Sequence, residues 1–155
     1  MEKKLENVCN YILSKIPKYR RTQLFLNKYL FFTYGYYYSA TGEEPFVANF
    51  HAWKYGPVEM KVYHEFILEP NKKYDINTLN DVDLDLVDDI VNYLNKLNEN
   101  LVDKSHTYEC WKGNLNNKIP REQIKSCFDV NNQFKIEGSG ITGNEYLNKI
   151  KSILD

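Results

Sequence analysis

Apolar positions recur at helical spacing along much of the chain, and each recurrence predicts a helix. Leu5, Val8, Cys9, Ile12, Leu13 and Ile16 form the first stripe, which Pro17 ends. Thr22 suits the N-cap of a second helix over about residues 23–39, closed by Thr41-Gly42. Leu24, Phe25, Leu26, Tyr29, Leu30, Phe31, Phe32, Tyr34 and Tyr36 to Tyr38 make that helix apolar on most sides, so it is expected at the centre. Gly56 and Pro57 read as a sharp turn pinned by Trp53 and Tyr55. It launches a third helix at Pro57, with Val58, Val62 and Phe66 on one face and an end near Leu68. Leu84, Val87, Val91, Leu94, Leu97 and Leu101 predict a fourth. Asp81, Asp83, Asp85, Asp88 and Asp89 crowd its start, where the helix dipole favours negative charge.

Shorter helices are predicted over residues 105–111 and from Pro120, the latter with Ile124, Cys127 and Phe128 inward. Residues 46–50 and 134–137 are candidate short extended pieces. Thr142 and Glu145 have capping-box spacing before a last stripe of Tyr146, Leu147, Ile150, Ile153 and Leu154. The expected architecture is all-α or nearly so, a compact single-domain helical fold with room for a short extended segment.

Charge and cysteine usage narrow the partners. A formal net charge of -1 gives no basic face for nucleic acid, and the basic run from Lys15 to Arg21 is expected to be solvated. No apolar run reaches the roughly 18 residues of a membrane span, so a cytoplasmic chain with no membrane partner is expected. Cys9, Cys110 and Cys127 lack C-x-x-C spacing and read as free thiols.

Candidate chemistry is sparse. His106 and Cys110, four apart, are too few for a metal site and lack the orienting group of a nucleophilic pair. Neither a metal nor a cofactor is expected. His64-Glu65 reads as an exposed pair. Lys28 stands on the helix expected to be central; it marks a polar strip, fixes the Trp53–Pro57 turn or meets a ligand, and these readings stay open. The tyrosine run from Tyr34 to Tyr38, with Phe46 and Trp53, is expected to leave some rings partly exposed as a contact surface.

Several of these residues carry a resemblance. Leu24-x-x-Asn27-Lys28-Tyr29-Leu30-Phe31-Phe32, Thr41-Gly42, Ala52-Trp53-Lys54-Tyr55-Gly56-Pro57-Val58 and Val62-Tyr63-x-x-Phe66 resemble the Panacea domain of SocA-like antitoxins and phage-associated GepA-like proteins. Ser105-His106, Trp111 and the Ile119–Phe128 stretch continue the similarity. It implies a Panacea-like helical domain over residues 1–128, with residues 129–155 as an extension whose final helix packs on it.

The resemblance also implies an antitoxin that neutralises a protein toxin encoded beside it by direct binding. No catalytic residue comes with it. Lys28, Trp53, Lys54, Tyr55, Gly56, Pro57, Tyr63, His106 and Trp111 become partner-contact or scaffold positions. Two other functions stay open: an adaptor that delivers the toxin to a protease, and a small hydrolase or nucleotide-processing enzyme using His106 with Cys110 or Lys28. The oligomeric state is not assigned.

Overall fold

The computed structural model describes residues 1–69, 71–97 and 101–129. The expected strand at 134–137, the capping box at Thr142 and the last helix lie outside the described residues. Helices α1 (Lys3–Lys15), α2 (Gln23–Thr41), α3 (Met60–Glu65), α4 (Leu84–Lys96), α5 (Leu101–Ser105), α6 (Glu109–Lys112) and α7 (Arg121–Asp129) dominate. Strands β1 (Phe50–Trp53) and β2 (Gly56–Glu59) form a small antiparallel hairpin. The chain is thus predominantly helical.

Helix α2 forms the axis. Thr22 Oγ1 accepts from the Phe25 N–H at 3.2 Å, and Gly42 closes the other end at φ 76° with its N–H on the Tyr38 carbonyl. Helices α1, α3, α4, α5 and α7 and strand β2 all pack against it. Leu26, Tyr29, Leu30, Phe31 and Phe32 are fully buried there. Asp83 caps α4 by accepting from the Leu86 N–H at 3.1 Å, which accounts for one of the crowded aspartates.

Of the rings expected to be partly exposed, Tyr38 and Trp53 are, but most of the tyrosine run is buried. Tyr34, Tyr36 and Tyr37 are at most 4% exposed, as is Phe46, and Tyr38 is half-buried. One cause is α7. Gly35 has no side chain, so the Phe128 ring lies directly on it, and a Cβ there would collide with the ring. Phe128 then contacts Phe31, Phe32, Tyr36 and Tyr108 at centroid separations of 4.9–6.3 Å. The phenols are satisfied as they are covered: Tyr34 donates to Glu44, and Tyr37 accepts from the Asp83 N–H.

The basic segment before α2 is also not wholly solvated. Arg20 is buried. It donates to the Tyr29 hydroxyl at 2.8 Å and to the Leu94 and Leu97 carbonyls at 2.9 Å each, satisfying the C-terminal carbonyls of α4. That arrangement ends α4 at Lys96, short of the expected Leu101. The helix expected over residues 105–111 is two pieces, α5 and α6, separated by a turn.

Candidate functional site

The largest departure from expectation falls on the segment from Trp53 to Phe66. Pro57 lies inside β2, opposite Ala52, and α3 starts at Met60. The chain reverses at Lys54-Tyr55 between the paired residues Trp53 and Gly56. Neither turn residue has positive φ; Gly56 takes it, at 111°. A turn followed by a positive-φ glycine leads the chain into a second strand rather than a helix. Residues 56–59 are buried on both faces, between β1 on one side and α2 and α5 on the other. Helix α3 begins where a cap exists: Glu59 Oε1 accepts from the Lys61 and Val62 N–H groups at 2.7 and 3.1 Å.

A polar strip on α2 holds the hairpin from behind. Lys28 Nζ donates to the Pro57 carbonyl at 2.6 Å. Asn27 Oδ1 accepts from the Glu59 N–H at 2.9 Å, and Gln23 donates to the Phe66 carbonyl at 2.9 Å. Lys28 has no exposed surface, and burial pulls its amine down to about 7. Glu59 is equally buried and spends its second oxygen on the Asn49 N–H at 2.6 Å.

Gly56 is packed directly against this strip. A Cβ there would come within 2.6 Å of Ser105 Oγ and 2.8 Å of Lys28 Cε. Trp111 also holds the hairpin, its indole N–H donating to the Trp53 carbonyl at 2.8 Å. His106 stacks on that indole at 4.2 Å with an interplanar angle of 8°. The structure therefore brings Lys28, Trp53, Gly56, Pro57, His106 and Trp111 together.

Lys54, Tyr55 and Tyr63 lie on the outside. Tyr55 is 62% exposed and does not pin the turn; the Lys54 ammonium lies over its ring at 5.6 Å. Tyr63, on α3 and 50% exposed, meets the Trp53 ring edge-on at 4.9 Å. His64 packs beside Tyr63 and is exposed, as is Glu65. The result is a compact aromatic tip with one cation at its apex.

Lys28 and Ser105 are fully buried, and the Ser105 hydroxyl donates to the Val102 carbonyl at 2.7 Å. His106 follows α5 while Cys110 lies in α6, so they share no helix face; Cys110 pairs with Cys127. Among the described residues no three His, Cys, Asp or Glu side chains are placed to hold a metal ion. A surface groove of about 1130 Å³, bordered by Leu13, Lys18, Leu68 and Tyr74, lies away from the hairpin. Among the described residues no helix is long and apolar enough to cross a membrane.

Glu59 and Arg20 are structurally decisive and were not marked by sequence reasoning. Glu is an uncommon N-cap, so Glu59 carries no cap signal of its own. Its one hint is a position three residues before Val62, at the entry to an apolar face.

The family model described as antitoxin SocA-like, Panacea domain, matches residues 26–112. That span holds most of α2, the hairpin and α3 to α6, with every candidate residue named above from Lys28 to Trp111. No curated protein and no solved structure gives a significant match.

Proposed function

Because the chain belongs to the SocA-like antitoxin family through its Panacea domain, we propose that it is an antitoxin that binds and neutralises a protein toxin in the cytoplasm. The contact surface in this reading is the tip of the hairpin, Trp53-Lys54-Tyr55, with Tyr63 beside it.

One observation carries the assignment of the surface. An exposed aromatic tip is anchored from behind by Lys28, by the Gly56–Ser105 contact and by Trp111. Tyrosine offers a large contact area with few rotatable bonds, and aromatic anchors dominate interface energetics. A tip already ordered in the free protein loses little conformational entropy on binding. Lys54 at the apex suits a toxin surface that presents a carboxylate near an apolar pocket. Burial of Lys28 and Ser105 supports a binding role over a catalytic one, since a substrate reaches neither without opening the fold.

Residues 129–155 are proposed to extend the domain and pack on it. The test of function is co-expression with the product of the adjacent reading frame. A blocking antitoxin restores growth and co-purifies with an intact toxin. A fall in toxin level that depends on a cytoplasmic protease, without a stable complex, overturns blocking in favour of delivery for degradation.

A further inference from the structure

Two of the three cysteines meet outside the hairpin site. Cys110 lies on α6 and Cys127 near the end of α7, and these helices pack together. The Cys110 backbone N–H donates to Cys127 Sγ at 3.2 Å, which sets the Cys127 sulfur against the Cys110 backbone. We propose that Cys110 and Cys127 form a peroxide-sensitive pair that closes reversibly into a disulfide between α6 and α7.

The geometry supplies the approach. A sulfur already 3.2 Å from its partner's backbone nitrogen needs only side-chain adjustment to approach the roughly 2.05 Å of a disulfide. Both thiols are reduced here, at 6% and 7% exposure, under a surface carrying exposed Glu109, Lys112 and Ser126. Cys9 is the internal contrast. It has no exposed surface, no thiol partner, and a thiol pushed up by burial.

The two thiols differ in the way the chemistry requires. Contact with Cys110, whose backbone N–H donates to Cys127 Sγ, holds the Cys127 thiol down, while Cys127 beside it and burial push the Cys110 thiol up. Cys127 is therefore the thiolate, and the thiolate is the nucleophile. It attacks one oxygen of hydrogen peroxide, the O–O bond breaks and hydroxide leaves, giving a sulfenic acid at Cys127. The Cys110 sulfur then attacks the Cys127 sulfur. The S–S bond forms, the S–O bond breaks, and the departing hydroxide leaves as water with the Cys110 proton. In sum, two thiols and one hydrogen peroxide give one disulfide and two waters.

The test uses the full folded chain, treated with hydrogen peroxide, alkylated under denaturing conditions, digested and analysed by mass spectrometry. The expected product is a peptide pair linked through Cys110 and Cys127, lost on reduction, with Cys9 alkylated. Full alkylation of all three cysteines, or a linkage through Cys9, overturns the proposal. In Cys110→Ser, with its fold checked by circular dichroism, dimedone should label Cys127. Labelling at Cys9 instead, or none, removes Cys127 from the attacking role.

Discussion

Lys28 donates from the second turn of α2 to the carbonyl oxygen of Pro57, 2.6 Å away, and neither residue lies on the surface. This bond joins the central helix to the second strand of the hairpin. It places a basic group in the core, where desolvation lowers its affinity for a proton.

The first prediction follows from that burial. At pH values well below 7 both folded and unfolded chains hold the Lys28 proton, and the native state bears the full cost of a buried ammonium. Between about 7 and the ordinary lysine value of 10.5, the folded chain loses the proton first. The unfolded chain then binds more protons, so stability rises with pH, by at most ~1.4 kcal/mol per pH unit. Lys28→Met lacks this contribution. In urea unfolding, wild type should gain on the variant steadily from about pH 7 to about pH 9. A gap that does not change with pH would sink the account of Lys28.

Gly56→Ala should be severely destabilising. The substitution meets a φ of 111° and a Cβ position within 2.6 Å of Ser105 Oγ. Strain and overpacking together should cost ~2–5 kcal/mol. Thermal or urea unfolding checks this; a variant as stable as wild type would mean that the hairpin relaxes freely.

Trp111→Phe keeps an aromatic face for His106 but removes the donor to the Trp53 carbonyl. The expected loss is ~1–2 kcal/mol, with faster amide hydrogen exchange in the hairpin than in α2. Unchanged hairpin exchange would show that Trp111 does not anchor it.

The helices built on long stripes were legible in the sequence: α1 with its Pro17 stop, α2 with Thr22 and Gly42, and the start of α4 among its crowded aspartates. Val58, Val62 and Phe66 fit one helix face, yet they fall in a strand, a helix and the residue after it. Periodicity reports that positions are buried, and here different elements bury them against the same core. Pro57 read as a helix start because its missing N–H suits one, but a strand of a two-stranded sheet has a free edge that tolerates that equally. The burial of Tyr34, Tyr36 and Tyr37 depends on partners remote in sequence: Phe46 and Phe50 on Tyr34, Phe128 on Tyr36, and Asp83 at the Tyr37 hydroxyl. Arg20 was hidden for a similar reason, since its partners are the carbonyls of Leu94 and Leu97.

Tyr55→Ala and Lys54→Glu separate contact from scaffold. Both residues are exposed, so each variant should unfold within ~0.5 kcal/mol of wild type. If the tip meets the toxin, Tyr55→Ala should weaken the complex by about 30-fold, the usual scale of an aromatic anchor, and Lys54→Glu should slow association. Urea unfolding of each variant measures stability, and surface plasmon resonance against the purified toxin measures affinity and association rate. Wild-type affinity in both would move the interface away from the hairpin.

The most direct measurement of the central claim is co-expression with the product of the adjacent reading frame, scored by growth and then by co-purification. The neighbour should be toxic alone, be rescued by this chain and elute with it as a complex. A harmless neighbour, or rescue with no complex formed, would contradict neutralisation by direct binding.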